Sequence, residues 1–277
     1  MQHTKNQKHI HQYHRHAVVS YPSSVWQRLY SAFAGPVVFI FISFAILKLV
    51  PLSPVHVTLA DNVANLFKAA LATFSRLLVA YALALVCAIP LALLINYNAK
   101  AERILLPLFD ITQSIPVLAF FPVVIFLFVK YNFFNGAAIF ILFLTMIWSI
   151  IFSVVGGLSV IPSDITDAAH VFHVKGFAYI RKVLLPSIFP YIITGSLLAW
   201  ASGWNIVIVA EVLHTYIPNG NLSQDLFGIG SSLVNAIATG RNDLFLASII
   251  VMIITIGFLN LFVWQRLLHY GERFKFD

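Results

Sequence analysis

The chain has 277 residues, of which 60% are hydrophobic and only 10% charged, with a formal net charge of +7. Soluble domains average about 25% charged residues, so the composition excludes an ordinary water-soluble protein and predicts an all-α polytopic membrane helix bundle. The basic excess does not indicate nucleic acid, because Lys and Arg are spread over short connecting segments. The single cysteine, Cys87, excludes an intramolecular disulfide and a Cys-based metal cluster.

Residues 1–30 are polar, basic and rich in histidine (His3, His9, His11, His14, His16). This composition predicts a solvated cytosolic tail, since so little apolar surface cannot offset the entropy of ordering. A metal-binding tract is the sharper alternative, and the irregular spacing of the histidines weakens it. The first apolar run begins only near Phe33 and no small-residue cleavage site follows it, so a secretory signal is not expected.

Six apolar stretches follow, at 31–50, 69–95, 108–129, 136–158, 187–213 and 244–267. Each approaches the roughly 20 residues that a spanning helix needs, so about six transmembrane helices are expected. The organisation read from them is a tail at 1–30, a first transmembrane helix within 31–57 and a core at 58–277. Lys and Arg concentrate in the tail, in 96–107, in 157–186 and at the C-terminal end, whereas the opposite side keeps Lys48, Lys68, Arg76, Lys130 and Arg241. Bases collect on the cytoplasmic side, which predicts that both termini and the segment 164–190 face the cytoplasm.

Three spans carry polar surprises. The third contains Pro116 and Pro122 and begins with Thr112, Gln113 and Ser114. Proline removes a backbone donor, and the freed carbonyls need partners in lipid; a path-lining segment and a plain packing kink both satisfy that need. The second span carries Arg76 near its external end, read as an interfacial arginine. The fifth carries Asn205 and Glu211 beside Trp200 and Trp204; Glu211 is either a headgroup-level anchor or a pore or gate residue. Gln113, Ser114, Trp148, Asn205 and Glu211 are the candidate path residues. The connection 214–243 holds Leu226, Ile229, Leu233 and Ile237 at helical spacing, punctuated by Gly228, Gly230 and Gly240. That pattern predicts a short amphipathic helix, closing the outer mouth, resting on a soluble protein, or simply covering the bundle.

The sequence lacks a G-x-x-x-x-G-K-[ST] phosphate loop, an H-E-x-x-H helix and a G-x-S-x-G elbow. The remaining histidines scatter over loops, and no pair of polar groups at membrane depth is apparent. The chain is therefore expected to transport or to scaffold, not to catalyse, and to bind no cofactor of its own.

The segment 164–190, DITDAAHVFHVKGFAYIRKVLLPSIFP, is a polar island between long uncharged runs. Ser163 or Asp164 can cap a helix start, and Ile165, Ala168, Ala169 and Phe172 then share one face. Gly176 breaks that helix. A second short helix at 177–185 ends with Arg181 and Lys182, and Pro186 and Pro190 mark the start of the fifth span. The expectation is a helix–turn–helix on the cytoplasmic face, either a docking element or a generic interfacial pair.

Asp167, Ala168 and Ala169, followed by Gly176 and closed by Leu184, Leu185 and Pro186, resemble the EAA loop of ABC importer permeases. Asp stands in place of the usual Glu, and His173 occupies the usual glycine position. FDITQSIPVLAFFPVVIFLF and WNIVIVAEVL are similar to the nitrate, sulfonate and taurine branch, and the likeness extends from about Thr58 to Phe274. The resemblance implies a permease, in a homodimer, whose coupling loop at 163–186 docks on cytosolic ABC ATPase subunits. Those subunits would bind the ATP and Mg. A periplasmic or lipoprotein substrate-binding protein would deliver a small anion such as nitrate, a sulfonate or taurine. It further implies that Asp167, Ala168, Ala169, Phe172 and Gly176 contact the ATPase, while Leu185 and Pro186 transmit its movement. The competing readings are a stand-alone secondary transporter, which needs titratable groups at membrane depth, and a scaffold without transport.

Overall fold

The computed structural model describes residues 59–217, 219–220 and 224–274. The tail expected at 1–30 and the first span expected at 31–57 lie outside the described residues. Those described belong to one compact unit, His56–Asp277, and are helices and connecting turns with no strand among them.

Helix α1 runs from Leu59 to Tyr97, ten residues earlier than the apolar run alone predicts. One face explains its packing. Ala69, Thr73, Leu77, Ala80, Ala84, Ala88, Ala92 and Ile95 recur every three or four residues and are all essentially inaccessible. Alanine at four successive turns lets a neighbouring helix approach closely, which is how helices associate in lipid.

Next comes a departure from expectation. The connection expected at 96–107 is mostly helical: Asn98 accepts hydrogen bonds from the backbone N–H groups of Lys100 and Ala101 and starts α2, Ala99–Ser114. Asn is among the best helix caps, so a capped helix forms where loop charge suggested a loop. Pro116 then stops it. A short 3₁₀ turn, Val117–Phe120, leads into α3, Phe121–Leu127, and a further 3₁₀ turn, Val129–Tyr131. The two halves, Ala99–Ser114 and Val117–Tyr131, meet at 101°, so the single kinked span expected at 108–129 is a bent pair.

Asn132, with φ of 57°, reverses the chain into α4, Phe134–Ser159. Helix α5, Ser163–Val171, follows, and α6, Leu185–Glu211, returns alongside α4. α4 is the buried spine, packed against α1 on one side and α6 on the other. At the α4–α6 crossing, Gly195, Ala199 and Gly203 form a small-residue stripe. Gly195 lies against the Ser149 carbonyl and Ser153, and Gly203 against Met146 and Leu77.

The chain closes with α7, Ile229–Ala238, α8, Asn242–Leu259, a widened π stretch, Asn260–Trp264, and α9, Gln265–Gly271. Among the described residues four helices are long and apolar enough to cross a membrane, and five if the bent pair counts as one span. This is a multi-pass membrane protein.

Candidate functional site

Three features stand apart from ordinary bundle packing: a surface loop, a polar cavity and a buried polar knot. Because α4 ends at Ser159 and α6 begins after the loop, the loop lies at one end of the bundle, and the start of α4 and end of α6 at the other.

The loop is α5, a turn and the lead-in to α6. Its helix is capped by Pro162 without a side-chain hydrogen bond, so neither Ser163 nor Asp164 is the cap. The face expected to be shared is split. Ala169 is buried at 5% exposure and Ile165 is half-buried, whereas Asp167, Ala168 and Phe172 are exposed, Phe172 to 79%. Ala169 thus packs into the chain's own core, and the outward apolar surface is Val171 and Phe172.

The helix ends at His173, the position where a glycine was expected. His173 has φ of 55°, the left-handed conformation usually given to glycine. The Val174 N–H donates to the Ala169 carbonyl at 2.9 Å, and the His173 N–H to the His170 carbonyl at 3.1 Å. These are the two bonds of a Schellman termination. The His173 ring Nδ1 also lies 2.9 Å from the Val171 carbonyl, a local bond that helps a non-glycine residue tolerate the conformation. Gly176, at φ of 59°, makes the second reversal.

Beyond it, Phe177–Tyr179, the π-helical stretch Ile180–Leu184 and α6 run on without a break. The separate helix expected at 177–185 is therefore the first turns of a longer one. Proline at 186 has no N–H and crowds the carbonyl four residues back. The widened turn, closed by the Leu185 N–H on the Ile180 carbonyl, makes room for it. Leu185 and Pro186 sit half-buried in this continuous rod.

The cavity lies midway along the bundle, inside the bend. It has a volume of about 360 Å³ and brings together Gln113 and Ser114 of α2, Trp148 of α4 and Ser202 of α6, with Thr112, Thr145 and Ser149. No Lys, Arg, Asp or Glu is among its lining residues. Of the five path candidates, Gln113, Ser114 and Trp148 meet here. Asn205 is exposed one turn beyond Ser202 on α6, and Glu211 is far away at the end of that helix.

Glu211 is neither a headgroup anchor nor a cavity residue. Its side chain is 2% exposed and pairs with Arg76 at 2.8 Å, itself only 11% exposed. Thr73 Oγ1 donates to Glu211 Oε1 at 2.6 Å, and the Gly230 N–H donates to Oε2 at 2.8 Å. Arg76 also donates from Nε to Asn135 Oδ1 and from Nη2 to the Phe227 carbonyl, each at 2.9 Å. Thr73 Oγ1 in turn accepts the Ile229 N–H at 2.9 Å. Gly228 is glycine because a Cβ there would fall on the Glu211 carboxylate. The knot thus joins α1, α4, α6 and the start of α7. Neither the pair nor Arg76's burial was visible in the sequence, since 135 residues separate the partners; Arg76, expected as a lone interfacial arginine, is instead buried against Glu211. The α7 stripe is also revised: Ile229, Gly230 and Ala236 face inward, while Ile237 is exposed.

Residues 80–269 match the model of the binding-protein-dependent transport system inner membrane component family. The chain belongs to that family. Among curated proteins, it is 32% identical over 168 residues to a nitrate import permease protein of Leptolyngbya laminosa, covering 61% of this chain and 59% of the relative. It is 31% identical over 153 residues to a bicarbonate transport system permease protein of Synechococcus elongatus, covering 55% and 54%. It is 28% identical over 200 residues to a putative ABC transporter permease protein of Methanocaldococcus jannaschii, covering 72% and 68%. The chain thus spans little more than half the length of the first two relatives. The family match takes in the loop, the cavity and Glu211, and begins just after Arg76.

Proposed function

We propose that this chain is the membrane permease subunit of an ATP-binding-cassette importer for a small anion. The observation that carries the reading is the family match across 80–269, which encloses a rigid loop-to-span rod with an exposed apolar tip. The loop α5 to Gly176 is the docking element for a cytosolic ATPase, which binds the ATP and Mg. Val171 and Phe172 are its contact surface, flanked by Asp167 and Ala168. Both chain ends and the loop face the cytoplasm, as loop charge indicates, so the knot faces outward. The cavity is part of the translocation path, completed by a second copy of the chain, and a substrate-binding protein delivers solute at the outer face. The relatives are named for nitrate and bicarbonate import, and a small oxyanion of that class fits the cavity's size.

A carrier driven by an ion gradient requires a titratable group at membrane depth that changes partner during the cycle. Glu211 and Arg76 form a buried ion pair, and each of Arg76's three guanidinium nitrogens already holds a partner.

Co-purification from native membranes, followed by a ligand screen on the soluble protein encoded with it, tests the reading. Recovery of a P-loop ATPase, and of a binding protein that takes nitrate or bicarbonate, is expected. Purification as a stand-alone carrier, with uptake that ignores ATP and follows the proton gradient, would overturn it.

A further inference from the structure

The knot at the outer end and the bend beside the cavity differ in how they are held. Thr73, Arg76, Asn135 and Glu211 come from three helices, and the Phe227 carbonyl and Gly230 N–H come from the start of a fourth element. Removing one partner from such a buried, hydrogen-bonded pair strands the other charge away from water. Parting the elements in a working cycle would cost the same each time. The bent pair is held otherwise. α2 has no buried residue, and α3 has only Phe121 and Val124. Its outer contacts with the rest of the chain are ring pairs, Phe121 on Tyr216 with centroids 4.5 Å apart and Phe128 on Phe140 of α4 at 5.3 Å. Its inner contact is Phe109 on Trp148 at 5.5 Å, at the cavity. Elements with few buried apolar contacts move most readily.

We propose that the Arg76–Glu211–Thr73 knot is a permanent clamp, and that the outer path opens by motion of the bent pair against it. The clamp makes the outer ends of α1, α4, α6 and α7 one rigid frame. The frame includes α6, the helix continuous with the loop, so force applied at the loop rocks the whole frame. The bent pair then shifts at Phe121–Tyr216, Phe128–Phe140 and Phe109–Trp148, changing the cavity beside them. Arg76, Glu211 and Thr73 are positioning residues that set the geometry of this motion without touching solute. The inference rests on the importer reading for its energy source.

Spin-label distance measurements on the assembled importer test it, in a Cys87→Ala background, without nucleotide and with a trapped ATP analogue. One label pair sits on the frame, at Phe67 of α1 and Ile237 of α7; the other pairs Phe126 of α3 with Ile237. These three side chains are all more than half exposed, so labels there leave the packing intact. The Phe67–Ile237 distance is expected to change by less than ~2 Å, the scale of small helix adjustments, and the Phe126–Ile237 distance by ~5 Å, one helical turn. With Glu211→Gln the frame pair is expected to broaden in both states while the protein still inserts. Separation of the frame pair on ATP binding, or a fixed Phe126–Ile237 distance in a complex that still transports, would overturn the inference alone. A complex with no ATP-dependent distance change and no ATP-driven uptake would overturn the importer reading with it.

Discussion

Glu211 shows how much one side chain can organise. Its carboxylate takes three hydrogen bonds, from Thr73, Arg76 and the Gly230 N–H, and its backbone carbonyl takes the Leu226 N–H at 2.9 Å. Replacing Arg76 with Ala is expected to destabilise the bundle by about 3–5 kcal/mol, because an unpaired carboxylate is left buried. The double change Arg76→Ala with Glu211→Ala should cost less than the sum of the single changes, and thermal unfolding in detergent measures both. Gly228→Ala is expected to unfold at lower temperature than the wild type, although it alters only a connecting segment, because its methyl group displaces the carboxylate. His173 gives a prediction of opposite sign. Its left-handed backbone costs a non-glycine residue about 1–2 kcal/mol, so His173→Gly should stabilise the loop and His173→Val should weaken it. Hydrogen exchange at the Val174 amide, bonded to Ala169, reports both changes. The histidine at the glycine position was plain in the sequence, and the backbone it adopts is the one the glycine would have taken. The Arg76–Glu211 pair was not legible, since nothing local to either residue names its partner.

At the scale of elements, apolar runs marked α1, α4, α6 and α8 well, because lipid demands long uninterrupted stretches. They failed where polar chemistry makes helix. Asn98 caps α2 inside a segment whose Lys100 and Arg103 suggested a loop, and the bend at Pro116 turned an expected kink into a 101° break. They failed again at Pro186, where a widened turn absorbs the proline and the rod continues into α6. Phe172→Asp should abolish stimulation of the partner ATPase by loaded binding protein while leaving the permease inserted and folded, since Phe172 is exposed and touches nothing in the bundle's core. Ala169→Asp is expected to act differently: Ala169 is buried, so it should lower the unfolding temperature as well. Comparing melting with ATPase stimulation separates the two residues, which the sequence had placed on one face. The small-residue stripe is a third case. Gly195→Leu is expected to push α6 away from Ser149 and Ser153 and to destabilise the α4–α6 pair by about 1–3 kcal/mol, as overpacking does.

At the scale of the whole molecule, a charge-neutral cavity sits between a frame tied at its outer end and a bent pair held by ring contacts. The cavity residues Gln113 and Ser114 could be named from sequence because a proline-broken polar turn in an apolar run needs a wet or protein-lined neighbour. Asn205 and Glu211 were named on polarity alone, and polarity does not say which way a helix face points. The most direct test is solute uptake into proteoliposomes holding this chain with its ATPase and binding protein, supplied with ATP on the loop side. The account predicts accumulation of nitrate or bicarbonate that requires ATP hydrolysis, persists when the proton gradient is collapsed, and is lost with Phe172→Asp. Accumulation that continues without ATP and ceases with the proton gradient would contradict it.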